Sequence, residues 1–376
     1  MALTQEALYQ ELDLDLSWSE RDLPERERTK HVHRLHPYLG KFIPQLVEIL
    51  LDRYFAPGGH VLDPFAGSGT TLVQALESGL DATGIDIAAF NCLLMEVKTR
   101  PYELFALEHE IRELVCWLDS QSGSGATPTT GSDYLNDWYA PKALSELLSF
   151  RERLSICDHA DLLRVVLARS ARSARRARHF DLEFPRSPQL EPYWCHKHRR
   201  TCRPVETAQR FLRRYLLDTL ERIREFQRLR ARGREATVLH GDARSIDLAW
   251  SYDGVVTSPP YPGLIDYHEQ HRYAYELLGL DDLSALELGA AARGSGRSAL
   301  ESYSDGIVRV LENVRPALRK DAPVVIVVND RRDLYPEILD RADLVLGERY
   351  RRHVNRRTGR RAGEFYESVL VTRFVE

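Results

Sequence analysis

The sequence predicts an α/β fold, a mostly parallel seven-stranded sheet with crossover helices, split by a helical and strongly basic insertion. Three observations carry this. Short apolar, β-branched runs recur at helix-sized intervals. A segment of helical period separates the first two runs. Between Pro101 and Arg234 the strand rhythm stops, and apolar residues recur at i+3 and i+4 instead.

In chain order, "HVLDPF" from His60 is the first predicted strand and "DATGIDI" from Asp81 the second. Between them, "TTLVQALESG" has helical spacing and a stop at Gly79. The insertion follows. It holds a Gly/Ser/Thr-rich connection, "SQSGSGATPTTGS", and a helix whose stripe runs through Ala208, Phe211, Leu212, Tyr215, Leu216, Leu220, Ile223 and Phe226, with arginines opposite. Strands resume with "ATVLHGD", "YDGVVTSPP" and "APVVIVVND". The last two runs, "DLVLGERYRRHV" and "YESVLVTRFV", flank the turn-rich "NRRTGRRAGE" and predict an antiparallel hairpin closing the sheet. The expected division is 1–100 for the amino-terminal helices and first half of the core, 101–234 for the insertion, and 235–376 for the second half.

Composition narrows the class. The chain has 376 residues, 43% of them hydrophobic, with a net charge of -4. It lacks the run of about 18 apolar residues that a membrane span requires, and its amino terminus is acidic and polar, unlike a signal peptide. Five scattered cysteines form no disulfide framework, so a reducing cytoplasm is expected. Cys92, Cys116 and Cys157 have apolar neighbours and read as core. The modest net charge hides a segregation: between Arg164 and Arg234 there are 20 Lys and Arg against 7 Asp and Glu. A run of this kind is a solvated face or a surface for a polyanion.

The turn "VLDPFAGSGTT" raises the question of a ligand. Gly67 and Gly69 allow close backbone approach ahead of a helix amino terminus. A phosphate-binding Gly-Lys-Ser/Thr loop is excluded because Thr70 and Thr71 follow Gly69, and the dinucleotide fingerprint fails because Leu72 stands where its third glycine belongs. Asp86, about twenty residues further on at the end of the next strand, is placed to accept ribose hydroxyls. With Asp63 and Asp242 at two other strand ends, it would line one cleft suited to a nucleoside with a cationic or amino-acid tail.

"DPFAGSGTT" together with "TSPPY" resembles the amino-group DNA methyltransferases that use S-adenosylmethionine, and the serine form of the tetrapeptide resembles those acting on the N4 amine of cytosine. "RLHPYLGKFIPQLVEILL" is similar to that family's motif beside the methionine end of the cofactor. The resemblance implies a Rossmann-like sheet of the class I methyltransferase fold. It also implies a cofactor site made by His36, Tyr38, Lys41, Asp63, Pro64, Phe65, Ala66, Gly67, Ser68, Gly69, Thr70, Asp86, Ile87, Asp242, Ala243 and Ser258. The order of motifs resembles the alpha arrangement of the family, although the insertion precedes the "HGDA" strand, earlier than the usual recognition domain.

The catalytic expectation centres on Ser258, Pro259, Pro260 and Tyr261. An exocyclic ring amine is a poor nucleophile because its lone pair is delocalised. Two fixed acceptors for its hydrogens, the Ser258 hydroxyl and the Pro259 carbonyl, would draw the nitrogen toward sp3 geometry, while consecutive prolines hold them still. Tyr261 would stack on an extruded base. This scheme requires neither a metal nor a covalent enzyme intermediate. In the family, Asp or Asn in place of Ser258 goes mainly with adenine N6, and Ser mainly with cytosine N4. Adenine N6 stays open, as do an amine in RNA or protein and a non-catalytic nucleic-acid binder. Tyr267, His268 and His271 either line the target pocket or belong to an amphipathic helix.

DNA is the expected partner, with a cognate restriction endonuclease left open. Phosphate contacts are assigned to Arg175, Arg176, Arg199 and Arg200 of the insertion and to Arg356, Arg357 and Arg360 of the terminal hairpin, while Tyr193 and Trp194 contact bases or pack. The string "CHKHRRTC" sets Cys195, His196, His198 and Cys202 within eight residues, too crowded for the usual two pairs split by a longer loop. It reads as a basic loop, and no metal is expected.

Overall fold

The computed structural model describes residues 16–18, 23–24, 27, 29–40, 43–121, 130–179, 181–182, 185–249, 251–294, 296–354 and 365–375. All seven predicted strands form: β1 (His60–Asp63), β2 (Asp81–Asp86), β5 (Ala236–His240), β6 (Gly254–Thr257), β7 (Val324–Val328), β8 (Leu344–Val354) and β9 (Phe365–Phe374). They lie in one sheet of order β5-β2-β1-β6-β7-β9-β8. The first five are parallel, and β9 runs antiparallel to both β7 and β8. This is the seven-stranded, Rossmann-like architecture that the sequence predicts. The order reverses between β1 and β6, so the carboxyl ends of these neighbours open the crevice where doubly wound sheets bind ligands.

Strand chemistry explains the layers. β7, Val-Val-Ile-Val-Val, is buried throughout, as a parallel strand covered on both faces must be. Its side chains alternate between two cores. Val324, Ile326 and Val328 pack with Ile307 and Val310 of α11 (Arg297–Val314) and Ile338 of α12 (Tyr335–Arg341). Val325 and Val327 pack on the opposite face with Leu46 and Leu50 of α1 (Pro44–Tyr54) and Leu72 of α2 (Thr70–Glu77). Gly84 of β2 permits a close approach of α2 to the sheet: a Cβ there would lie 2.7 Å from Leu72 and 2.8 Å from Ala66.

The insertion is helical, as predicted, but its helices have no core separate from the rest of the chain. Its helices are α4 (Leu104–Ser120), α5 (Asp133–Trp138), α6 (Pro141–Arg153), α7 (Ala160–Ala174) and α8 (Gln209–Leu229). Their buried side chains join one cluster with Phe90, Leu94 and Val97 of α3 (Ala89–Thr99) and with Tyr273 and Leu277 of α10 (Arg272–Leu278), which follows the short α9 (Tyr267–Gln270). The α8 stripe supplies Leu212, Leu216, Leu220, Ile223 and Phe226 to it. Several arginines on the polar side are paired internally, Arg169 with Asp218, Arg222 with Glu225 and Arg224 with Glu108. Part of the basic run is therefore a self-neutralised face.

Two expectations are corrected here. The insertion contains a small antiparallel ribbon, β3 (Tyr193–Cys195) and β4 (Arg200–Cys202), that the sequence pattern did not announce. Of the three cysteines read as core, Cys92 is buried, but Cys157 is half-buried and Cys116 is exposed on α4, because its neighbours' apolar faces turn inward without it. Among the described residues, no helix is long and apolar enough to cross a membrane.

Candidate active site

A half-open cleft of about 630 Å³, its mouth included, lies at the carboxyl ends of the parallel strands. Pro64, Phe65 and Gly67 reach it from the turn after β1; Asp86 ends β2 and Ile87 and Ala88 follow it, Gly241 to Ala243 follow β5, and Ser258 and Pro260 follow β6. Tyr38 and Tyr267 close one side, and Glu287 with its neighbours Leu286 and Leu288 closes another. The Gly-rich turn and the Ser-Pro-Pro-Tyr corner, 191 positions apart from Gly67 to Ser258, thus face one space.

Asp86 organises the cleft. Its Oδ2 accepts the Gly67 N–H at 2.9 Å, and its Oδ1 accepts the Ala88 N–H at 2.8 Å and the Asn91 amide at 3.0 Å. Gly67 has φ +52, and a Cβ there would approach the Tyr38 hydroxyl to 3.0 Å, so glycine serves both the turn and the close packing. Burial drives the Asp86 carboxyl up to about 7; the Ala88, Asn91 and Gly67 N–H groups oppose the rise and the charge of Glu287 adds to it. Asn91 also donates to the Tyr38 hydroxyl at 3.2 Å, and the Tyr38 ring stacks on Tyr267 with centroids 5.4 Å apart.

Asp242 lines the cleft too, gripped by the guanidinium of Arg244 at 2.6 and 2.8 Å. Burial would raise its carboxyl, but the Arg244 contacts outweigh that and hold it below the usual range. Glu287, buried, accepts the His268 backbone N–H at 3.0 Å and pairs with the His268 ring.

Other predicted residues stand elsewhere. Asp63 is buried beneath the turn, its oxygens taken by the Thr71 and Thr257 hydroxyls at 2.6 Å each and by the Phe65 N–H at 3.1 Å. It braces β1 against α2 and β6 and does not line the cleft. Burial, opposed by these donors, pushes it up to about 6. Ala66, Ser68, Gly69 and Thr70 form the inner side of the turn: Ser68 gives its carbonyl to the buried Lys98, and a Cβ on Gly69 would strike Met95. His36 sits in a closed aromatic cluster, 3.1 Å from the Tyr273 hydroxyl, where burial holds its ring neutral by lowering its pKa. Pro259 is buried behind the corner. Tyr261 is half-buried and donates to Glu367 of β9 at 3.1 Å, and Glu367 in turn pairs with Arg352. Of the downstream aromatic group, Tyr267 lines the cleft, His268 orients Glu287 and His271 is buried against Tyr38.

Among the basic candidates, Arg175 is corrected. It is only 4% exposed, donates to the Leu182 carbonyl at 2.8 Å and lies over the Tyr273 ring, so it cannot reach a phosphate. Arg176 is half-buried, and Arg199 and Arg200 are exposed on the ribbon. Lys41, Arg356, Arg357 and Arg360 lie outside the described residues.

Sequence reasoning missed Asn91 and Glu287. Asn91 had a signal, an amide one turn into the helix after Asp86. Glu287 had none, since a loop delivers it from far along the chain.

Three buried or half-buried carboxylates, Asp86, Asp242 and Glu287, flanked by apolar and aromatic walls suit a ligand with ribose hydroxyls and a cationic centre. A DNA methylase family model, that of the N6/N4 methyltransferases, matches residues 8–96. The chain is 35% identical to the Type II methyltransferase M.MjaII of Methanocaldococcus jannaschii over 99% of its own length and 85% of that protein's. It is 26% identical to the Type II methyltransferase M.MvaI of Kocuria varians, over 61% of this chain and 53% of that one. With M.BsoBI of Geobacillus stearothermophilus it shares 32% identity over 23% of this chain and 16% of the other. The chain belongs to the amino-group (N6/N4) DNA methyltransferases, enzymes whose cofactor is S-adenosylmethionine.

Proposed function

We propose that this methyltransferase acts on the exocyclic N4 amine of cytosine, at a specific DNA site and on a base turned out of the helix. The observation that carries this reading is the position of Ser258, which faces the same cleft as Gly67 and Asp86. S-adenosylmethionine, when bound, supplies an electrophilic methyl group on a sulfonium.

Asp86 keeps lone-pair capacity on Oδ2 for ribose hydroxyls, and the turn at Pro64 to Gly67 offers backbone to the tail of the ligand. The Ser258 hydroxyl and the Pro259 carbonyl accept the two hydrogens of the target amine and aim its lone pair at the methyl carbon. Tyr261 supplies the stacking face. Its hydroxyl, anchored on Glu367, fixes the ring before the base arrives. Arg199 and Arg200 contribute phosphate contacts, which position the duplex without reading sequence. We further propose that the enzyme is the modification partner of a restriction endonuclease.

Methylation-sensitive sequencing of DNA from cells expressing the protein tests the reading, because it reports base and context together. N4-methylcytosine at one recurrent motif is the expected result. N6-methyladenine at such a motif would overturn the assignment to cytosine.

A further inference from the structure

We propose that His179, Cys195, His198 and Cys202 bind one Zn²⁺ ion that holds the β3–β4 ribbon in its fold. Crowding within eight residues argued against a metal on the sequence alone, but the folded chain changes the quartet. His179, sixteen positions before Cys195, replaces His196, which points away into solvent as an exposed residue.

Donor atoms from the four side chains lie within 4.8 Å of one another. The Cys195 sulfur is 3.6 Å from Nδ1 of His179 and 3.6 Å from Nδ1 of His198, and the Cys202 sulfur is 3.5 Å from Nδ1 of His198. A tetrahedral zinc with bonds of about 2.3 Å to sulfur and about 2.0–2.1 Å to nitrogen requires a sulfur–nitrogen separation of about 3.5 Å. The observed spacing is that of a ligand shell around a common centre. Two thiolates with two imidazoles select zinc by softness and geometry, and four protein ligands leave no open position, so the site is structural.

The surroundings supply a second reason. From Arg175 to Ala208 the described chain forms only two strands of three residues, and its own buried cluster is Tyr193, Cys195 and Cys202. An isolated two-stranded ribbon is marginal in water, and small units lacking a core are usually stapled. Here the staple would close the loop from His179 through both strands. Cys195 is fully buried and Cys202 nearly so, as metal-bound sulfurs are, and both are free thiols. On binding, two thiol protons leave to solvent and both imidazoles coordinate in their neutral form. The Tyr193 hydroxyl, 2.9 Å from Nδ1 of His179, then retains its bond from the His179 backbone N–H at 3.1 Å.

The staple fixes Trp194, 57% exposed, together with the exposed Lys197, Arg199 and Arg200 on the outside of the ribbon. Metal loss is therefore expected to weaken DNA retention while cofactor binding stands. That consequence rests on the proposed DNA contacts; metal stoichiometry does not.

The test is elemental analysis of the purified full-length chain, freed of any affinity tag, with cobalt substitution read by absorbance. We expect about one zinc per chain in the wild type and the visible bands of tetrahedral cobalt–thiolate after exchange. His179→Ala and Cys202→Ser should each lose at least about nine-tenths of the zinc, and His196→Ala should keep it. S-adenosylmethionine affinity within about twofold of wild type in every variant would show the remainder folded. Zinc-free wild-type protein, a Cys195–Cys202 disulfide, or zinc that survives His179→Ala but not His196→Ala would each overturn the site.

Discussion

At the scale of single residues, function depends on where carboxylates and hydroxyls find themselves at the ends of strands. Asp63 and Asp86 have the same chemistry and close neighbourhood, yet one is spent on Thr71 and Thr257 while the other faces the cleft. This division yields a pH prediction. A carboxyl raised to about 7 in the folded protein stabilises the empty fold fully below its unfolded value near 4, and that contribution is lost as the pH rises through about 7. With the proposed ribose contact, cofactor binding has the opposite sign, since hydroxyls would donate to the ionised form. Affinity for S-adenosylmethionine, measured by calorimetry, should rise about tenfold from pH 6 to a plateau above pH 7 to 8 and be flat in Asp86→Asn. An unchanged slope in the variant would contradict the role of Asp86. For Tyr261, Ala should reduce turnover by about 100-fold and Phe by about tenfold or less, because Phe keeps the proposed stacking face and loses only the hydroxyl's contacts with Glu367 and Ser258. Equal losses in steady-state assays would show that the ring is not what matters.

At the scale of elements, the strands and the helix stripe were legible because period and β-branching are local properties. β7 announces itself in "VVIVV", and α8 in its stripe from Leu212 to Phe226. The two signature turns were legible for the same reason, since each compresses its chemistry into a few adjacent positions. The β3–β4 ribbon was not, because strands of three residues carry no period, and His179 belongs to its cluster only through the fold. Asp63 and His36 misled because a sequence shows that a polar group is present but not which neighbour takes its lone pairs. Helix-on-strand packing supplies a further prediction. Gly84→Ala puts a Cβ within 2.8 Å of Ala66 and closer still to Leu72, so thermal unfolding should show a loss of about 1–3 kcal/mol. A change below a few tenths would mean that α2 moves aside freely.

For the whole molecule, one connected core joins the insertion to the chain on both sides of it, through α3 and α10 against α4 to α8. The basic run is accordingly not a free domain. Its arginines include a paired set on the helices and an exposed set on the ribbon, Arg199 and Arg200 among them. Replacing both Arg199 and Arg200 with Ala should weaken binding to all DNA sequences alike and reduce the salt slope of log K by about 2. Gel-shift titrations across salt concentration measure this, and a change confined to one sequence would assign these arginines to base reading. The sheet order explains why such distant segments meet: the reversal between β1 and β6 sets the Gly-rich turn and Ser258 side by side.

The most direct measurement is mass spectrometry of nucleosides from DNA treated with the purified enzyme and S-adenosylmethionine carrying a deuterated methyl group. Methyl transfer to cytosine N4 predicts label on the N4 amine of deoxycytidine, and at least about 100-fold less of it with Ser258→Ala at unchanged cofactor affinity. Label on deoxyadenosine, or full activity in Ser258→Ala, would contradict it.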